Sequence, residues 1–75
     1  MPQSNKSDNT IAENLKRLRK EKDYSLEKIS KLADLSLNTV AKIEKGINSN
    51  PTYETLQKLA LALDVDINDL IKPIK

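Results

Sequence analysis

The chain has 75 residues, with 13 Lys/Arg against 11 Asp/Glu, one Gly, no Cys and no His. That length suits one small domain near the lower limit for a self-supporting apolar core. Disulfides and the usual zinc ligand sets are excluded, so no metal or cofactor is expected. No stretch approaches the ~20 apolar residues of a membrane span, and residues 1–10 lack the apolar run of a signal peptide. The expectation is a cytoplasmic protein without a membrane partner. Charge is uneven: residues 1–33 hold eight Lys/Arg against five Asp/Glu, and residues 34–75 hold five against six. An acidic partner would be drawn to the first half, although a solvated mixed-charge surface explains the asymmetry equally well.

Residues 1–9 (MPQSNKSDN) are polar and aperiodic, and read as a disordered tail. The domain spans 10–72, and 73–75 form a short C-terminal tail. Thr10-Ile11-Ala12-Glu13 has the form of a capping box, followed by Ile11, Leu15 and Leu18 at helical spacing over 11–22. Asp23-Tyr24 breaks that helix. Ser25 caps a second, with Leu26, Ile29 and Leu32 inward, and Ser36 caps a third, with Leu37, Val40 and Ile43 inward. Gly46 suits a left-handed helix end, and 46–51 (GINSNP) is a polar loop. Thr52 caps a fourth helix striped by Leu56, Leu59, Ala60 and Leu63. Asp66 caps a short fifth containing Ile67, Leu70 and Ile71, stopped by Pro73. No segment alternates with period two over a useful length, so the fold class is all-α with five helices.

The second and third helices are each about two turns long, with roughly three residues between them, and neither is stable alone. This is the outline of a helix-turn-helix, whose second helix lies in the DNA major groove. Short helix pairs also occur in small bundles without DNA, and pattern alone leaves both readings open. Further motifs are RLRKEKDYSLEKIS, LADLSLNTVAKIEKG and NPTYETLQKLALALDV. On these, residues 11–71 resemble the phage-repressor, Xre-type helix-turn-helix family. The resemblance implies the five-helix lambda-repressor-like fold and a sequence-specific transcriptional regulator. It further implies a repressor that binds an inverted-repeat operator in double-stranded DNA as a homodimer.

A 100° step per residue about Val40 turns Asn38, Ala41, Lys42 and Lys45 outward, with Thr39 on the flank and Leu37 at the boundary. Asn bonds bidentately to adenine, Lys reaches guanine or phosphate, and Thr39 and Leu37 offer methyl groups to thymine. The family's base-reading positions match Leu37, Asn38 and Lys42, while the angle of Leu37 equally suits core packing. Phosphate contacts are expected from Ser25 and Ser36 with their following amides, from Lys28 and Lys45, and from Asn48, Ser49 and Asn50. The family often has Gln where this chain has Leu26, which leaves Lys28 more of that task. The resemblance implies an ion pair between Arg19 and Glu44 that sets the angle of the third helix. Family members often have Gly at the place of Asp34, where the backbone turns left-handed, and Asp tolerates that conformation at some cost.

No enzyme is expected, because without His or Cys the remaining carboxylates, Lys, Tyr and Ser/Thr form no catalytic constellation. No small-molecule ligand is expected either. The rival reading is a protein-binding module, such as an antitoxin, on the same fold. The face Asn38-Ala41-Lys42-Lys45 favours DNA over protein docking. A dimer surface is expected at the fifth helix and tail, from Leu70, Ile71 and Ile74, although Leu70 equally suits closing the core.

Overall fold

The computed structural model describes residues 10–73. Ile74 and the tail 1–9 lie outside the described residues. Five helices follow in chain order: α1 Thr10–Glu21, α2 Leu26–Ala33, α3 Leu37–Glu44, α4 Tyr53–Leu63 and α5 Asn68–Ile71. α1 packs on α3 and α5, α2 on α3 and α4, and α4 on α5. Leu15, Ile29, Val40, Ile43, Leu59, Leu63 and Leu70 meet, fully buried, where these helices converge. Each short helix therefore gains from packing what it cannot supply from its own hydrogen bonds.

Connections are short because one sequence device recurs. Asp23-Tyr24-Ser25, Asp34-Leu35-Ser36 and Asp64-Val65-Asp66 each end a helix with a left-handed Asp, at φ 62°, 58° and 60°. The apolar residue after each Asp sends its N–H back across the last turn: Tyr24 to the Arg19 carbonyl, Leu35 to Ser30 and Val65 to Ala60. These are Schellman closures, and the three apolar side chains pack on the core as such motifs require. Ser25 and Ser36 then cap the next helix at once, accepting from the Lys28 and Thr39 amides. Thr52 does the same for α4 through the Thr55 amide. At the three Asp turns a helix is stopped and its successor started within three or four residues, without glycine.

Four local expectations differ. α1 includes Thr10, so this residue sits inside the first turn rather than ahead of it. Asp66 does not cap α5 with its side chain. Its N–H instead donates to Asp69 Oδ2 at 3.2 Å, the reciprocal half of a capping box without the half that the first side chain supplies. Leu32 is 49 % exposed, because α2 buries the stripe Leu26, Ile29, Ser30 and Ala33 instead. Those positions run i, i+3, i+4, i+7, and small side chains at 30 and 33 let neighbouring helices approach closely. Ser30 is buried without loss because its hydroxyl donates to the Glu27 carbonyl at 2.8 Å. Finally, Leu37 is 44 % exposed rather than inward, since no preceding helical turn covers the first residue of α3.

Candidate nucleic-acid interface

The Asp34 turn delivers the chain into α3 with its start held tightly. Ser36 Oγ accepts from the Thr39 amide at 3.0 Å and donates to Thr39 Oγ1 at 2.7 Å. The Ser36 proton is thereby committed to Thr39, and the N–H groups opening α3 are the donors still without helical partners. The helix ends as abruptly. Gly46 turns at φ 80°, and the Ile47 and Asn48 N–H groups both donate to the Lys42 carbonyl. In the following loop the Asn48 side-chain carbonyl accepts from the Asn50 amide, and Asn48, Ser49 and Asn50 all face solvent.

Between these stops, Val40, Ile43 and Glu44 point inward. Asn38, Lys42 and Lys45 are exposed, Thr39 and Ala41 are half-buried, and Leu37 joins the outward set. Asn38 and Lys42 stand one helical turn apart on one face. Glu44 is the only acid between Ser36 and Asn50. It is withdrawn from that face: Arg19 Nε donates to Glu44 Oε2 at 2.6 Å and Arg19 Nη2 to Oε1 at 2.9 Å, with the two side chains 14 % and 7 % exposed. The outward face of α3 keeps Lys42 and Lys45, and the exposed Glu13 of α1 borders the same hollow as Lys45. The hydrogen bonds that Arg19 donates to Glu44 hold its guanidinium above the ordinary range, against the lowering effect of burial. Arg19 accordingly stays charged. Its third contact, Nη1 to the Tyr24 carbonyl at 2.8 Å, ties the latch to the approach of α2.

At the start of α2, Ser25 and Lys28 are both exposed, and Lys28 Nζ lies 5.7 Å from the Tyr24 ring centroid. That cation–aromatic contact holds a flexible side chain beside the helix N-terminus. Ser25 Oγ accepts from the Lys28 amide, which leaves its own proton free to donate outward. Two contributors escaped the sequence reading. One is Tyr24, which accepts from Arg19 and underlies Lys28. The other is Asn14, fully buried, whose Nδ2 donates to the Leu70 and Lys72 carbonyls at 2.8 and 2.7 Å. A signal for Asn14 was present: it lies on the stripe Ile11, Asn14, Leu15, Leu18, at i, i+3, i+4, i+7. A polar residue on an apolar stripe has to find partners.

Residues 15–70 match the helix-turn-helix family. The chain belongs to the Xre-type helix-turn-helix family. Among its relatives is the HTH-type transcriptional regulator SinR of Bacillus subtilis, 33% identical over 61 residues, which cover 81% of this chain and 55% of SinR. Another is the HTH-type transcriptional regulator DdrOP3 of Deinococcus deserti, 32% identical over 65 residues, or 87% of this chain and 50% of that protein. The chain thus spans about half the length of the curated relatives it matches. Among solved structures, it is similar to the restriction-modification controller protein C.AhdI from Aeromonas hydrophila. The TM-score is 0.77 at 31% identity, covering 81% of this chain and 91% of that one. Family membership fixes the frame in which α2 and α3 are a helix-turn-helix pair.

Proposed function

We infer that this chain reads double-stranded DNA as a transcriptional regulator, acting as a repressor that occupies an inverted-repeat operator as a dimer. The observation that carries this reading is the outward face of α3, which presents an amide and two lysines while its one carboxylate is held inside by Arg19. Asn38 and Lys42 read base edges, with Leu37 and Thr39 beside them. Ser25, Lys28, Ser36, Lys45 and the loop Asn48-Ser49-Asn50 hold phosphates, and the amides opening α2 and α3 add their unpaired N–H groups. Ser36 acts here mainly through those amides, since its hydroxyl is taken by Thr39.

The dimer surface lies further along the chain. Leu70 is fully buried and closes the core, so it has no area to offer a partner. Exposed apolar area gathers instead on α4, where Tyr53 is 67 % and Leu61 76 % exposed. They flank a shallow hollow of about 220 Å³ lined also by Gln57, Val65 and Ile67. Two copies meeting there, together with Ile71, set two α3 helices for half-sites about one helical turn (~34 Å) apart. The same apolar patch supports a second reading, an antitoxin whose α4 contacts another protein while α3 still binds DNA.

Selection of binding sites from random duplex DNA tests the main reading. A two-fold repeated sequence is the expected product, bound more weakly as salt rises because lysines displace condensed counterions. Equal retention of all sequences at low salt would remove the specific-regulator reading.

A further inference from the structure

The loop after α3 holds an asparagine whose surroundings differ from those of every other described asparagine. An asparagine loses ammonia when the backbone nitrogen of the next residue closes a five-membered ring on its side-chain carbon. That step needs access to water, a small following residue and a backbone N–H not already held. Asn48 and Ser49 are both exposed, and the Ser49 N–H has no acceptor among the described residues. Elsewhere the step is blocked. Asn38 and Asn68 lie in helices, and the amides that follow them donate to Ser36 Oγ and to the Asp66 carbonyl. Asn50 precedes Pro51, which has no N–H. Asn14 is buried within α1, with its amide donated to two carbonyls. At Asn48 the local bond helps instead. The Asn50 N–H donates to Asn48 Oδ1 at 3.1 Å, where it steadies the negative charge that this oxygen gains during attack.

We propose that Asn48 is a site of spontaneous deamidation that turns this loop from a phosphate contact into a repulsive one. The Ser49 nitrogen gives its proton to hydroxide and bonds to Asn48 Cγ. The Cγ–Nδ2 bond breaks, and Nδ2 takes a proton from water and leaves as ammonia. Water then opens the cyclic imide to aspartate, or to isoaspartate with the chain rerouted through the side chain. Either product carries the first exposed acid between Ser36 and Pro51. Its effect on DNA rests on the function proposed above, in which this loop faces phosphates. Isoaspartate also lengthens the backbone directly after the Ile47 and Asn48 amides that fasten the loop to the Lys42 carbonyl.

Incubating the full chain in heavy-oxygen water at several pH values, followed by peptide mapping by mass, reads the chemistry. In the folded chain Asn48 should convert at least about tenfold faster than Asn38 or Asn68, whose following amides must first be released from their hydrogen bonds. Conversion should quicken as pH rises, because the attacking nitrogen has to lose its proton. Urea should narrow the gap to Asn38 and Asn68, and Asn48→Gln should show no conversion at that position. Asn48→Asp should bind a selected operator about tenfold more weakly than the unaltered chain. The site is overturned if folded Asn48 converts no faster than Asn38. Its regulatory effect is overturned if Asn48→Asp binds as the unaltered chain does. Failure to enrich any operator would remove the DNA-reading inference alone, since the mass measurement decides the chemistry without DNA.

Discussion

Single residues carry more of this fold than its size suggests. Asp23, Asp34 and Asp64 all occupy the left-handed region at a helix C-terminus. The β-carbon makes that conformation costly, and a carboxylate there also faces the negative end of the helix dipole. Each Asp→Gly substitution should therefore stabilise the fold by about 0.5–1 kcal/mol, raising the melting temperature by several degrees. Asp34→Val should lower it, because a β-branched side chain does not tolerate φ near 58°. Asn14 works in the other direction. Its amide holds two carbonyls at the end of α5, and Asn14→Ala leaves both without that donor. Chemical denaturation should show a loss of about 1–3 kcal/mol, with exchange of the α5 amides accelerated first.

For the elements, the helices were legible and their rotational phase was less so. Ser25, Ser36 and Thr52 accept hydrogen bonds as their positions suggested, whereas Thr10 lies inside α1 and Asp66 makes no side-chain cap. The inward faces of α1 and α4 also follow from leucine spacing. The face of α2 does not, because the largest hydrophobe is the wrong guide: Leu32 lies out while Ser30 and Ala33 lie in. Spacing by i, i+3, i+4, i+7 from Leu26 places the stripe correctly even though it runs through a serine. The candidate site was legible as a set of outward residues on α3. The tie from Arg19 to the Tyr24 carbonyl was not, since a backbone acceptor has no side-chain signature. Division of labour between α2 and α3 makes a direct prediction. Asn38→Ala should relax preference at one base pair by about 1–3 kcal/mol, whereas Lys28→Ala should weaken all sequences alike and reduce the salt slope by about one. Titrations at several salt concentrations, with matched and scrambled duplexes, separate the two.

The described residues divide into a side of charge and amides and a side of exposed apolar area. α2 and α3 face outward with charge and amides, while α4 and the α5 approach expose Tyr53, Leu61 and Ile71. Leu61→Lys adds charge to the most exposed of these without touching the core. Sedimentation should show the association of free protein weakened, and operator affinity should fall while binding to a half-site duplex is unchanged. One continuous line of contacts also crosses the molecule. Glu44 holds Arg19, Arg19 holds the Tyr24 carbonyl, and the Tyr24 ring lies beneath Lys28. On the proposed DNA-reading function, base reading and backbone gripping should behave as one cooperative unit. A double-mutant cycle between Glu44→Gln and Lys28→Ala, scored by operator affinity, should be non-additive by at least ~0.5 kcal/mol. Tyr24→Ala should abolish that coupling, so the ring between the two lysine- and arginine-held ends acts as a joint whose stiffness sets how faithfully one contact reports the other.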